Sequence, residues 1–290
     1  MIWHNRNLFY EIYFTIFERY MPLEEFSETI IDSHIIPSRF LKRDVVIDFY
    51  FPPDMPKGQE LDLLLINDGQ DLVRMNFPGI LNELYSRNSI SPLLCVGIHC
   101  GDDRKNEYGT ANITDYKGRG AKASLYTRFV FEELLPFIRS EYSIPSFHEK
   151  SFCGFSLGGL CAFDIVWNHA EEFSKVGAFS GSFWWRTLSQ DDKGFDEREH
   201  RIMHNEVRLG TYHPWLKFFF ETGTMDETAD RNHNGVIDSI DDTLSLIEEL
   251  EKKGYDPKTT IRYMELKDGK HDVPTWGRAF PDFLKWGWGK

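Results

Sequence analysis

Seven apolar runs of strand length recur along this chain, and they limit its possible folds more than any other feature. Several are almost unbroken in Leu, Val, Ile and Phe, the pattern of strands buried on both faces of a parallel sheet. The runs lie at residues 44–51, 61–68, 93–100, 151–156, 175–181, 216–223 and 261–269. Segments with helical spacing lie between them, at residues 72–87, 124–142, 157–170 and 241–254. This alternation predicts an α/β fold with a mostly parallel central sheet and helices on both faces.

Composition narrows the class of partner and the number of domains. The 290 residues include 33 Lys and Arg against 46 Asp and Glu, a formal charge of −13. We expect no nucleic acid partner, because phosphate binding needs a basic face. With 41% hydrophobic residues the chain can bury one large core, so we expect a single domain.

The amino-terminal stretch is apolar, but charged residues interrupt it at Arg6, Glu11, Glu18 and Arg19. It lacks the uncharged core and the cleavage site of a secretory signal peptide. No run in the sequence is long and uncharged enough to cross a bilayer. These features predict a soluble, cytoplasmic protein without a membrane partner, although a trimmed export signal would leave the same pattern.

The stretch GFSLG, residues 154–158, places a serine between two glycines. A strand-like run precedes it and a helical pattern follows, as in the G-x-S-x-G elbow that exposes a nucleophile at the head of a helix. The glycines are expected because the nucleophile's strained backbone leaves no room for side chains two residues away. The alternative is an ordinary strand-to-helix turn; the flanking patterns favour Ser156 as a nucleophile.

A serine hydroxyl needs a base and an orienting acid, which follow it along the chain in this kind of fold. His271 lies in a loop after the last predicted strand, at the sheet edge where the elbow also lies. The acid is expected in the loop after the preceding strand, which favours Asp226 over the neighbouring Glu221 and Glu227.

Backbone N–H groups must also stabilise the negative charge that develops on the substrate oxygen. Leu157 directly follows the serine, and Gln70 follows the D-G turn after an earlier central strand. These two N–H groups are the candidate oxyanion hole. For Gln70, an ordinary D-G turn is the equally open alternative.

With these residues in place, the chain resembles the putative-esterase family of α/β-hydrolases. That family includes enterochelin, feruloyl and acetyl-xylan esterases and related mycolyltransferases. The resemblance rests on LLINDGQDL, DRKNEYGT, LYTRFVFEELLPFIRSEY, CGFSLGGLCAF, VGAFSGSFWW, ETGTMDE and GKHDVPTW. It implies a Ser156–His271–Asp226 triad and hydrolysis through an acyl-serine intermediate. Residues 1–35 match nothing in the family, so we expect an N-terminal extension there and an esterase domain over residues 36–290.

An insertion after Asp226, DRNHNGVIDSIDD, has the spacing of a calcium loop. Glycine falls at its sixth position, where the loop turns sharply, and a helix follows. Position 12 is Asp instead of the usual Glu, and no convincing helix precedes the loop, so the similarity is to a dockerin-type half. A plain Asn/Asp/Gly-rich turn is the alternative. The predicted ligands of a structural Ca²⁺ are Asp230, Asn232, Asn234, the Val236 carbonyl, Asp238 and Asp241.

Several other residues are candidates for substrate binding. Arg104 and Glu107 follow the strand at 93–100, and three tryptophans follow other strand ends, namely Trp184, Trp185 and Trp276. Core packing is the competing role for the tryptophans. The expected substrate is a small-molecule or carbohydrate ester, and no cofactor is expected for catalysis. Two other functions stay open: a non-catalytic ligand-binding relative, and acyl transfer to an alcohol acceptor.

Overall fold

The computed structural model describes residues 28–53 and 60–290, and within them one sheet of eight strands forms the centre of the molecule. Its spatial order is β1-β2-β4-β3-β5-β6-β7-β8. The strands are β1 (Ile30–Ser38), β2 (Arg43–Phe51), β3 (Asp62–Asn67), β4 (Leu93–Ile98), β5 (Lys150–Phe155), β6 (Lys175–Phe179), β7 (Lys217–Met225) and β8 (Ile261–Lys270).

Six of the strands are mutually parallel. β4, β3, β5, β6, β7 and β8 pair in the same direction, whereas β2 is antiparallel to both β1 and β4. The carboxyl ends of the parallel strands therefore meet at one edge, which we call the catalytic rim. This is the predicted α/β-hydrolase architecture, with a mostly parallel sheet.

Helices cover both faces of the sheet. They are α1 (Phe77–Ser86), α2 (Arg104–Glu107), α3 (Ala123–Phe129), α4 (Leu135–Glu141), α5 (Leu157–Asn168), α6 (Glu197–His200), α7 (Ile202–Leu209), α8 (Asp238–Lys253) and α9 (Val273–Trp288). A π-helical turn, Val130–Leu134, joins α3 to α4. The predicted helix over 72–87 begins only at Phe77, because Pro78 suits the first turn of a helix but not its interior.

Alternate residues of the central strands face two separate apolar cores. Leu63 and Leu65 of β3 pack with residues of α3, α4, α5 and α8, whereas Leu64 and Ile66 pack with residues of α1 and α9. Burial on both faces explains why the strand sequences are continuously apolar.

The first strand was not predicted from the sequence. β1 pairs with β2 from Ile30 to Ser38, so the predicted boundary between residues 35 and 36 falls inside a strand of the sheet. Residues 1–27 of the predicted N-terminal extension lie outside the described residues. Within the described part of the chain, no helix is both long and apolar enough to cross a membrane.

Candidate active site

Ser156 occupies the turn between β5 and α5, at the catalytic rim. Its backbone has φ 55° and ψ −122°, a conformation that non-glycine residues rarely adopt. The Ser156 N–H donates to the Phe179 carbonyl of β6 at 2.8 Å, and the Ser156 carbonyl accepts the N–H of Ser182 at 3.1 Å. The neighbouring strand and its following loop thus hold a strained turn that carries a half-buried hydroxyl.

Close packing around this turn requires Gly154 and Gly158. A Cβ atom at Gly154 would collide with the backbone carbonyl of Gly158, and one at Gly158 would lie 2.6 Å from Asp68 Oδ2. Side chains added at these two positions would collide with the facing backbone of the elbow and with the turn after β3.

The two candidate oxyanion donors begin helical turns at neighbouring strand ends. Leu157 is the first residue of α5, and Gln70 lies in the single 3-10 turn Gly69–Asp71 after β3, which pairs with β5. Within residues 28–53 and 60–290, neither N–H donates to a backbone or side-chain acceptor. Unpartnered N–H groups at helix starts suit a developing negative charge. The arrangement is compatible with an oxyanion hole, whose assignment stays a prediction.

His271 lies between β8 and α9, in the loop where the sequence analysis placed it. Its ring packs edge-on against Trp276, with 5.4 Å between ring centroids. Trp276 in turn stacks on Phe155, the residue before Ser156, at 5.1 Å. This stack of rings connects the imidazole to the elbow.

Asp226 follows the last residue of β7 directly. Both of its carboxylate oxygens are buried and accept no hydrogen bond from any described residue. The two groups nevertheless interact through their charges. Desolvation lowers the pKa of His271; Asp226 opposes this effect and the Arg104 cation adds to it. Burial raises the pKa of Asp226; the nearby Ser180 hydroxyl and the Gly223 backbone oppose this rise most, followed by the charge of His271.

The two other candidates for the acid differ from Asp226 in exposure. Glu221 lies in the body of β7 with 0% of its surface exposed, and neither carboxyl oxygen has a partner among the described residues. Burial, and then the charge of Asp226, raises the pKa of Glu221 to about 8. Glu227 is exposed.

A family model described as putative esterase matches residues 38–286. The chain belongs to the putative esterase family. Two proteins of Bacillus subtilis (strain 168) are similar to this esterase-family chain over most of their length. The uncharacterized protein YbbA is 21% identical over 83% of this chain and 91% of its own, and the uncharacterized protein YjcH is 23% identical over 86% and 93%.

Solved structures of esterases share the fold. The enterobactin esterase FES of Shigella flexneri, crystallised in the presence of enterobactin, superposes with a TM-score of 0.67 at 21% identity. The match covers 88% of this chain but 58% of that protein, so this chain spans little more than half the length of FES. A ferulic acid esterase gives a TM-score of 0.65 at 16% identity and is covered over 97% of its length. The siderophore hydrolase EstB of Aspergillus nidulans gives 0.63 at 16% identity.

Two predicted substrate contacts of this esterase-family chain are buried instead. Glu107 is 1% exposed, and the Arg43 guanidinium binds its carboxylate at 2.7 Å. Trp185 is fully buried, and its ring fills the space beside Gly109. Because neither side chain reaches the surface in this arrangement, substrate contact by Glu107 and Trp185 gains no support from the structure and stays a prediction.

The other three predicted contacts differ in their exposure and partners. Trp276 is 7% exposed and donates its indole N–H to Ser180 Oγ at 3.0 Å, so it packs behind His271. Trp184 is half-buried and covers the guanidinium of Arg119 at 4.9 Å from the ring centre. Arg104 pairs with the buried carboxylate of Asp68. Of the three tryptophans, Trp184 is the most exposed.

The predicted calcium loop folds back on itself. Asp230 accepts the N–H groups of Asn234 and Gly235 at 3.1 and 2.9 Å, and Gly235 has φ +86°. The side chains of Asn232 and Asn234 both contact Asp241 Oδ2, at 2.6 and 3.1 Å. Four of the predicted ligands thus come together around the turn.

The fifth side chain of the set is engaged elsewhere. Asp238 accepts the backbone N–H of Arg231 at 2.8 Å, and the buried Arg231 guanidinium also pairs with Glu197 and Asp242. Among the described residues, no group of three or more His, Cys, Asp or Glu side chains is arranged to hold a metal. The loop therefore fits Ca²⁺ only if amide and backbone oxygens complete the ligand set.

Proposed function

We propose that this chain is a serine carboxylesterase that acts on a small-molecule or carbohydrate ester. The observation that carries the proposal is the strained Ser156 backbone between two obligatory glycines, at a strand-to-helix turn on the catalytic rim. Membership of an esterase family supports ester hydrolysis as the reaction class.

In the proposed mechanism, His271 removes the Ser156 proton as Oγ attacks the ester carbonyl carbon. The resulting oxyanion accepts hydrogen bonds from the backbone N–H groups of Leu157 and Gln70. Collapse of the tetrahedral intermediate releases the alcohol, which takes the proton from His271. Water then attacks the acyl-serine by the same route, releasing the acid and restoring the hydroxyl.

Asp226 has the orienting role. Its two buried oxygens lack donors, and a buried carboxylate without donors is costly. An N–H from His271 would satisfy one of them and select the tautomer in which the other ring nitrogen faces Ser156. The lowered pKa of His271 supports a neutral imidazole that can act as a base near pH 7.

Replacement of the nucleophile tests the proposal. We expect Ser156→Ala to reduce kcat for p-nitrophenyl acetate by at least about 10⁴-fold, because the covalent route is lost. Ser151→Ala is the matched control: Ser151 lies on β5, the strand that leads to Ser156, is buried, and its hydroxyl has no partner among the described residues. A fluorophosphonate should label the control and not Ser156→Ala. Substantial activity in Ser156→Ala would refute the proposal.

We further propose that Ca²⁺ binds the loop 230–241 in a structural role. The convergence of Asp230, Asn232, Asn234 and Asp241 supports this, with Val236 offering its carbonyl at position 7. The loop follows Asp226 closely and leads into α8, so a bound ion would stiffen the segment between the acid and that helix.

A further inference from the structure

The two candidate oxyanion donors belong to separate segments, and something must fix the distance between them. Gln70 is carried by the turn after β3, and Leu157 by the elbow after β5. Main-chain pairing of β3 with β5 ends at Ile66 and Cys153, before either segment begins. Beyond those residues the two main chains no longer pair, and side chains hold the turn after β3 against the elbow after β5.

Arg104 joins the two segments directly. Its Nε and Nη2 donate to Asp68 Oδ1 and Oδ2 at 2.7 and 2.6 Å, a bidentate pair. The same Nη2 donates to the carbonyl of Phe155, the residue before Ser156, at 3.2 Å. A planar guanidinium with several donors can make both contacts at once, which a lysine ammonium cannot do with the same geometry.

Asp68 is itself wedged between the two segments. Its side chain is 3% exposed and its backbone has φ 61°. Its backbone N–H donates to Tyr108 Oη at 3.2 Å. Oδ2 lies so close to Gly158 that no side chain fits there. A shift of Asp68 would therefore displace both the turn after β3 and the first turn of α5.

The guanidinium also packs against an aromatic ring. Arg104 lies over the ring of Tyr108, 5.0 Å from its centre, and 29% of its side chain is exposed. Its Nε and Nη2 donors are engaged by Asp68 and the Phe155 carbonyl within the protein. This differs from the substrate-binding role that the sequence suggested.

We infer that Arg104 is a positioning residue, which sets the separation of the two oxyanion donors by clamping Asp68 to the Phe155 carbonyl. The inference rests on the proposed serine esterase mechanism and names one more residue on which it depends. Loss of the clamp leaves nucleophile and base in place but misaligns the oxyanion hole.

The test compares Arg104→Met with Arg208→Met, each measured with the neutral ester p-nitrophenyl acetate. Arg208 is a matched control, since it is a partly buried arginine paired with Glu249 between α7 and α8. We expect Arg104→Met to lower kcat about 10²-fold with KM nearly unchanged, because small misplacements of catalytic groups cost about that much. The rate of labelling by a fluorophosphonate should fall in parallel, and Arg104→Lys should recover only part of it.

Other outcomes separate the competing roles. A raised KM with an unchanged kcat would assign Arg104 to substrate binding and overturn the inference. Unchanged kinetics in both arginine variants, with Ser156→Ala inactive, would overturn it while leaving the esterase proposal intact; an active Ser156→Ala would remove both. Should Arg104→Met fail to fold, as judged by thermal melting, Asp68→Asn carries the test. It keeps the shape and removes the charge pair, and a fall in kcat of less than about threefold would overturn the inference.

Discussion

Ser156 adopts a backbone conformation that is strained for any residue with a side chain. Such strain costs about 1–3 kcal/mol and persists only where the surroundings enforce it. Here the enforcing contacts are the hydrogen bonds to Phe179 and Ser182 and the tight packing of Gly154 against Gly158. Strain is thus stored at a residue for which a raised hydroxyl is useful.

The protonation of His271 gives a prediction for the pH dependence of the reaction. Desolvation lowers its pKa below the ordinary value of 6.5, and the neutral form is the base. We therefore expect the acidic limb of kcat/KM to have its midpoint below pH 6.5. Arg104→Met removes a positive charge that also lowers this pKa, so its acidic limb should move to higher pH. A pH-stat assay measures both; a wild-type limb above pH 7 would contradict the prediction.

Residue types and spacing placed Ser156, His271 and Asp226 just after β5, β8 and β7, where the structure has them, and their catalytic roles stay predictions. Each of these positions is fixed by its place relative to a strand end, which the apolar runs mark clearly. The burial of Glu107 and Trp185 could not be read in the same way. It depends on partners far along the chain, such as Arg43, whose approach is set by tertiary packing.

At the scale of elements, most of the strands that the sequence revealed are buried on both faces, and β8 at the sheet edge is the exception. β1 was not predicted because it lies at the edge of the sheet and exposes Ile30, Ile31 and Ile35. Its sequence therefore has neither a continuous apolar run nor a polar outer face. The π-helical turn at Val130–Leu134 also had no periodic signal. It brings Glu133 to the hydroxyl of Ser38, a contact that only the folded chain defines.

The loop that precedes α8 provides a prediction for ion binding. If Ca²⁺ binds the folded loop and not the unfolded chain, 1 mM Ca²⁺ should raise the melting temperature above that in EDTA. A hundredfold excess over Kd corresponds to about 2.7 kcal/mol, or a shift of several degrees. Asp230→Ala should abolish the shift, whereas Asp282→Ala, on the exposed side of α9, should retain it. Identical melting in both solutions, with no metal bound, would end the proposal.

At the scale of the whole molecule, one buried acid should make stability depend on pH. The pKa of Glu221 is raised from 4.5 to about 8, so the folded state holds its proton more tightly than the unfolded state does. The free energy of unfolding should then fall as the pH rises from about 4.5 to 8, by at most about 1.4 kcal/mol per pH unit.

Glu221→Gln carries no such proton, and its melting temperature should vary less between pH 5 and 8 than that of the wild type. Glu251→Gln, an exposed change on α8, should keep the wild-type dependence. Parallel melting curves for the wild type and Glu221→Gln would show that the carboxyl is ionised in the folded protein.

The directions of the outer strands have a practical consequence. β1 runs in the same direction as β4, so Ile30 lies at the edge of the sheet opposite Ser156. Gly289 bridges to Ile90, just before β4, and so lies at that same far edge. A surface tether attached at Ile30 or Gly289 would leave the catalytic rim facing solution. This suits assays of immobilised protein and single-molecule measurements.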